Sequence, residues 1–186
     1  MKKLLFILTI MMFTAKASAQ MIAVNTDVAM DACMAPSLGV ELTLGKKSTL
    51  NINGLYAANM LGKDIRLAAV QPEWRVYISG RPMFHHYFGA IGLLASYKFS
   101  HLADKVYDGD AMGIGLSYGY VWPVTQRLLI DFHTSLGYVA YRQKEYFVGD
   151  DYDRHYTNEE GNPYANATGS LLMPLRIGIS VSYILK

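Results

Sequence analysis

The chain has 186 residues, with 17 basic and 15 acidic side chains and a formal net charge of +2. That length suits one domain, and the charge leaves no basic excess for gripping nucleic acid. Apolar residues make up 52% of it and 14 are tyrosines, yet past the first 20 positions no run reaches the ~18 apolar residues of a membrane-crossing helix.

The chain opens with Lys2 and Lys3, an apolar run from Leu4 to Phe13, and Ala17-Ser18-Ala19. A charged start, a short apolar core and a small-residue exit predict a cleaved signal peptide over residues 1–19 and an exported domain over 20–186. Without the leader's three lysines, 14 basic side chains face 15 acidic ones. Cys33 is the single cysteine, so no intrachain disulfide staples the domain.

From Met21 onward the chain alternates with a period of two, the spacing of a strand whose faces differ. Eight such segments follow one another. Met21 to Asp31 sets Ile22, Val24, Val28 and Met30 against Asn25 and Asp27; Ser37 to Gly45 sets Leu38, Val40, Leu42 and Leu44 against Gly39, Glu41 and Thr43. Ser48 to Ala57 carries Leu50, Ile52 and Tyr56 opposite Asn51 and Asn53, and Ile65 to Ile78 carries Val70, Trp74, Val76 and Ile78 opposite Gln71, Glu73, Arg75 and Tyr77. In His86 to Ser100 we assign Tyr87, Ile91, Leu93, Tyr97 and Phe99 to the apolar face. Ala111 to Trp122 places Gly113, Gly115, Ser117 and Gly119 on one side and Ile114, Leu116, Tyr118, Tyr120 and Trp122 on the other. Arg127 to Arg142 opposes Leu128, Ile130, Phe132, Leu136 and Tyr138 to Asp131, His133, Ser135 and Gly137. Leu171 to Leu185 opposes Met173, Leu175, Ile177, Ile179, Val181, Tyr183 and Leu185 to Arg176, Gly178, Ser180 and Ser182.

Connections alternate between tight (45–48, 79–84, 123–126) and long (32–36, 58–64, 101–110, 144–170). Short turns at one end and long loops at the other are the pattern of an outer-membrane barrel. Lipid offers the backbone no hydrogen bonds, so a sheet crosses it only by closing on itself. The expected fold is all-β: an eight-stranded antiparallel up-and-down transmembrane barrel. Its apolar faces meet lipid, and Tyr56, Tyr87, Tyr97, Phe99, Tyr120, Trp122 and Tyr183 form interfacial girdles. A barrel of this size is filled by side chains. Glu41, Glu73, Arg75, Lys98, Asp131, His133 and Arg176 are the expected polar network of its interior, and the small stripe from Gly113 to Gly119 makes room for them. Pro72 and Pro174 fall inside segments and call for a bulge or strand end. The competing fold is a soluble sandwich or a periplasmic lipocalin-like binder, with the apolar faces inward.

Gln71-Pro72-Glu73 with Arg75, then His86-Tyr87-Phe88-Gly89, Tyr107-Asp108-Gly109-Asp110 and the Gly113 to Trp122 stretch occur in an order that resembles the DUF3575 family of Bacteroidetes outer-membrane barrels. The resemblance covers most of the exported chain. It implies an outer-membrane barrel of unestablished function, a possible association with fimbriae or other surface proteins, and no catalytic residues.

Three constellations invite chemistry. Asp131, His133 and Ser135 form an acid-base-hydroxyl series, but residues two apart on a strand are separated by ~7 Å, so an interior network is expected rather than a triad. His85 and His86 fall at a tight turn and His101 at a loop, so they are expected to lie far apart, and a lipid A deacylase- or acyltransferase-like barrel enzyme stands as the alternative function. The longest loop holds Tyr146, Asp150, Asp151, Tyr152, Asp153, Tyr156 and Tyr164. Its acidic spacing matches no EF-hand, and its interspersed tyrosines suit contact with a partner. The expected role is non-enzymatic, with no cofactor or metal. The expected partners are outer-membrane lipid and lipopolysaccharide, the barrel-assembly machinery during insertion, and a surface protein at the loops.

Overall fold

The computed structural model describes residues 21–60, 64–101, 105–149 and 164–185. The expected signal peptide lies outside them, as do Asp150, Asp151, Tyr152, Asp153 and Tyr156. Eight strands follow one another: β1 (Ile22–Asp27), β2 (Ser37–Thr43), β3 (Ser48–Ala57), β4 (Ile65–Tyr77), β5 (His85–His101), β6 (Lys105–Pro123), β7 (Leu128–Phe147) and β8 (Ala167–Ile184). Each pairs antiparallel with the next, and β1 pairs with β8, so one sheet closes on itself as a barrel. Closure satisfies the backbone polar groups that an open sheet would leave at its edges.

The alternation sets which side faces inward. In β6, Ile114 and Leu116 stand outside at 71% and 75% exposure, while Ser117 is buried. In β4, Gln71, Glu73, Arg75 and Tyr77 are buried and Val70, Trp74 and Val76 are exposed. The interior is therefore polar over these heights and the outer wall apolar.

Several expectations change. Val28 to Asp31 does not continue the first strand but forms a short helix, α1 (Val28–Ala32). Asp27 caps it by accepting from the amides of Ala29 and Met30, which satisfies donors that a helix start leaves open. The presumed loop at 101–110 is mostly strand, since β5 runs to His101 and β6 begins at Lys105. In β5 the face is reversed: Tyr87 and Ile91 are buried inside, whereas Phe88 and Leu94 are exposed. Tyr87, Tyr97 and Phe99, which share that inward face, therefore belong to no outer girdle. In β8 a bulge opposite Thr134 and Leu136 shifts the register. Leu175 and Arg176 are consecutive and both buried, so Met173 and Leu175 leave the outer face assigned to them and Ile177 onward keeps it. Two residues against one is what a bulge supplies.

The prolines divide. Pro174 lies beside that bulge. Pro72 does not: it pairs with Ile52 in an unbroken β3–β4 register, and across β5 it faces Gly92, where an added Cβ would come within 3.3 Å of its Cγ. A glycine opposite accommodates a residue that gives the ladder no N–H.

The wall has uneven height. β1 meets β8 only from Ala23 to Asp27, opposite Ile184 to Ser180, while β7 follows β8 up to Ala167. Among the described residues, β8 from Ala167 to Ile179 has a strand on one side only. Helix α1 packs against β8 at this seam.

Candidate functional site

The middle of the barrel holds an ionic network that strands β1, β2, β4, β7 and β8 each contribute to. Arg75 is its hub. Its Nη2 lies 2.7 Å from Glu73, and its Nη1 lies 3.1 Å from Glu41 and 2.9 Å from Asp131. Its guanidinium carbon also sits 4.5 Å from the centre of the Tyr87 ring. All four charged side chains are at most 3% exposed. A buried charge this far from water persists only when paired and hydrogen-bonded.

A second layer joins the first through Glu73. Arg176 approaches Glu73 at 3.5 Å and Asp27 at 3.7 Å, and its Nη2 donates to Ser180 Oγ at 3.0 Å. His133 donates from Nε2 to Asp27 at 2.9 Å, while its Nδ1 stays 3.9 Å from Asp131, beyond hydrogen-bond range. Neutral donors complete the carboxylate shells: Thr49 and Tyr77 donate to Glu41, and Tyr87 donates to Asp131. Gln71 spans the interior to the Leu175 carbonyl at 2.8 Å.

Glu41, Glu73, Arg75, Asp131, His133 and Arg176 are thus brought together. Lys98 is not. It stands on the outer wall, its side chain 46% exposed and paired with Asp108 on β6 at 3.1 Å, because β5 turns its other face inward. Asp27, Tyr77 and Tyr87 join the network without having been singled out in sequence.

The Asp131, His133 and Ser135 series is no relay. His133 turns to Asp27, and Ser135 Oγ exchanges hydrogen bonds with the backbone of Arg176 at the bulge. His86 bonds the Tyr118 hydroxyl at 2.8 Å and His85 stacks on Phe84 at 3.8 Å, both at the turn end. His101 is at the opposite end of β5.

Small residues make the network's space. A Cβ at Gly119 would sit 2.4 Å from the Tyr87 ring, and one at Gly178 would sit 2.6 Å from the Asp27 carboxylate. Gly119→Val is therefore expected to displace Tyr87 from Asp131 and lose about 1–3 kcal/mol, read as a lower urea midpoint. Gly54→Ala meets nothing closer than 3.9 Å and should leave the midpoint in place.

Below the network the interior is plugged. Met83, in the β4–β5 turn, packs with Tyr77, Tyr87, Val121 and Leu129. Above it lies an apolar floor of Ile91, Val139 and Leu175, with Leu93 and Ala111 packed against it. The expectation of an interior filled throughout fails at this height: beyond the floor is a cavity of about 1240 Å³ bounded by β2 to β7. Of the loop tyrosines, Tyr164 lines that cavity, and the Tyr146 ring sits 5.7 Å from the Lys98 ammonium.

A family model described as "Protein of unknown function (DUF3575)" matches residues 4–185, nearly the whole chain. The chain belongs to this family. No curated protein and no solved structure matches it. The DUF3575 description carries no activity.

Proposed function

We propose that this DUF3575 chain is a small, non-enzymatic outer-membrane barrel that presents its long loops at the cell surface to a partner, in a structural, adhesive or fimbria-associated role. The observation that carries the membrane reading is the inverted placement of side chains. Arg75, Glu73, Glu41 and Asp131 are buried inside, while Leu38, Ile114, Leu116, Leu172 and Ile177 are more than half exposed around the wall. Water-soluble monomers rarely leave a contiguous apolar band uncovered, whereas lipid demands one.

Trp122, Tyr118 and Tyr183 stand on the outer wall toward the turn end, where an aromatic interfacial belt would sit. With short turns facing the periplasm, the β7–β8 loop faces outward. No relay among Asp131, His133 and Ser135 argues for chemistry, and the Met83 plug and the ionic network argue against an aqueous channel.

Cell fractionation and gel mobility test this. The protein should partition with outer membranes and migrate differently before and after boiling. Recovery in the soluble periplasmic fraction would overturn the membrane reading. Lipid A from cells with and without the gene should give the same acyl pattern by mass spectrometry, and an altered pattern would replace the non-enzymatic role with a lipid-modifying one.

A further inference from the structure

The loop-end half of the barrel differs chemically from the half that holds the network. Several of its inward-facing side chains are apolar and small. Leu55, Ala57 and Ala69 are buried on β3 and β4, and Ala95 and Ala111 line the cavity from β5 and β6. The ring of alanines removes the bulk that fills the barrel lower down, and the cavity of about 1240 Å³ is what it leaves. That exceeds the ~300–1,000 Å³ of ordinary small-molecule sites.

Polar groups share the cavity wall, Gln143 among them. Tyr97 donates to Gln143 at 2.7 Å, and Gln143 in turn donates to Glu145 at 2.7 Å. An apolar floor of Ile91, Val139 and Leu175 with hydrogen-bonding groups higher up suits an amphiphile: a tail below and a polar end above.

We infer that the loop-end cavity binds a long-chain acyl group. The chamber does not rest on the membrane reading.

Photocrosslinking in lipid nanodiscs tests it. The full chain is reconstituted with either a diazirine-bearing C16 fatty acid or a phospholipid carrying the same tail, irradiated, and mapped by peptide mass spectrometry. Adducts are expected on the inward residues Leu55, Leu93 and Tyr141 as well as on the outward Leu94 and Leu116, which bulk lipid labels in any case. Ala95→Trp, which narrows the chamber, should cut inward labelling several-fold and leave outward labelling and heat-modifiable mobility unchanged. Inward labelling by the phospholipid marks a membrane lipid as the source, and labelling by the fatty acid alone marks a free acid. Adducts confined to outward residues, or inward adducts indifferent to Ala95→Trp, would overturn the inference. If the protein proved water-borne, the fatty acid arm run in buffer would still decide the chamber, and the membrane reading would fail separately.

Discussion

Replacing Arg75 by alanine is expected to cost about 3–5 kcal/mol of folding stability, the penalty for leaving buried charge uncompensated. Arg75 touches Glu41, Glu73 and Asp131 at 3.1 Å or less. Arg176 reaches Glu73 but not Glu41 or Asp131, so no second guanidinium takes over when Arg75 is removed. Urea unfolding of vesicle-reconstituted protein, followed by Trp74 and Trp122 on the outer wall, measures the loss. A decrease below about 1 kcal/mol would mean the carboxylates find water or protons instead, and the network would lose its structural importance. The companion variant Asp131→Asn should be strongly coupled to it. Groups in one network depart from additivity by about 0.5–3 kcal/mol, so the double variant should be less destabilised than the two singles summed.

How far the network could be read from sequence depended on whether the two faces of a strand differ in polarity. In β4 the series Gln71, Glu73, Arg75 alternates with Val70, Trp74 and Val76, and in β7 Asp131 and His133 alternate with Ile130 and Phe132. There the phase was plain. In β5 it was not, because the loop-end interior is itself apolar: Ile91 and Leu93 face inward while Ala90 and Leu94 face out. With both faces hydrophobic, alternation carries no sign, and Lys98 fell on the wrong side of the wall. The β8 bulge is hidden for a related reason. Leu171 to Leu175 is apolar at every position but none marks where two consecutive residues turn inward, and only Arg176 betrays the new phase.

Other features depend on contacts between distant segments. Asp27 gains its place from His133 and Gly178, more than a hundred positions away. The cavity comes from Ala69, Ala95 and Ala111 lying at one height on three strands, and an alanine in a strand carries no individual signal. The β5–β6 hairpin looked like a loop because Tyr107-Asp108-Gly109-Asp110 has turn composition. It is strand because Lys98 pairs with Asp108 across it and the backbone register runs unbroken from His85 opposite Val121 to His101 opposite Lys105.

The second large effect concerns the outer wall. Leu116→Arg replaces a side chain that is 75% exposed, facing Ala90 on one neighbour strand and Leu136 on the other. On a protein surrounded by water such a change is worth within about 0.5 kcal/mol either way. In a bilayer an arginine near the midplane of the lipid-facing band costs about 2–4 kcal/mol, falling to about 0–1 at the interfaces. The same residue type at three heights therefore separates the two surroundings. Leu116→Arg and Ile114→Arg should each lower the unfolding free energy by about 2–4 kcal/mol in vesicles. Trp122→Arg, near the turn end of the same face, should lose mainly the ring's own burial, and Gln126→Arg, at an exposed position in the β6–β7 turn, should change little. A flat profile, with Leu116→Arg as mild as Gln126→Arg, would remove the membrane from around this barrel whatever its shape. A profile peaking between Ile114 and Leu116 would set the hydrocarbon core across the height where the network lies, so that Arg75 and its carboxylates are screened from lipid by one layer of strand.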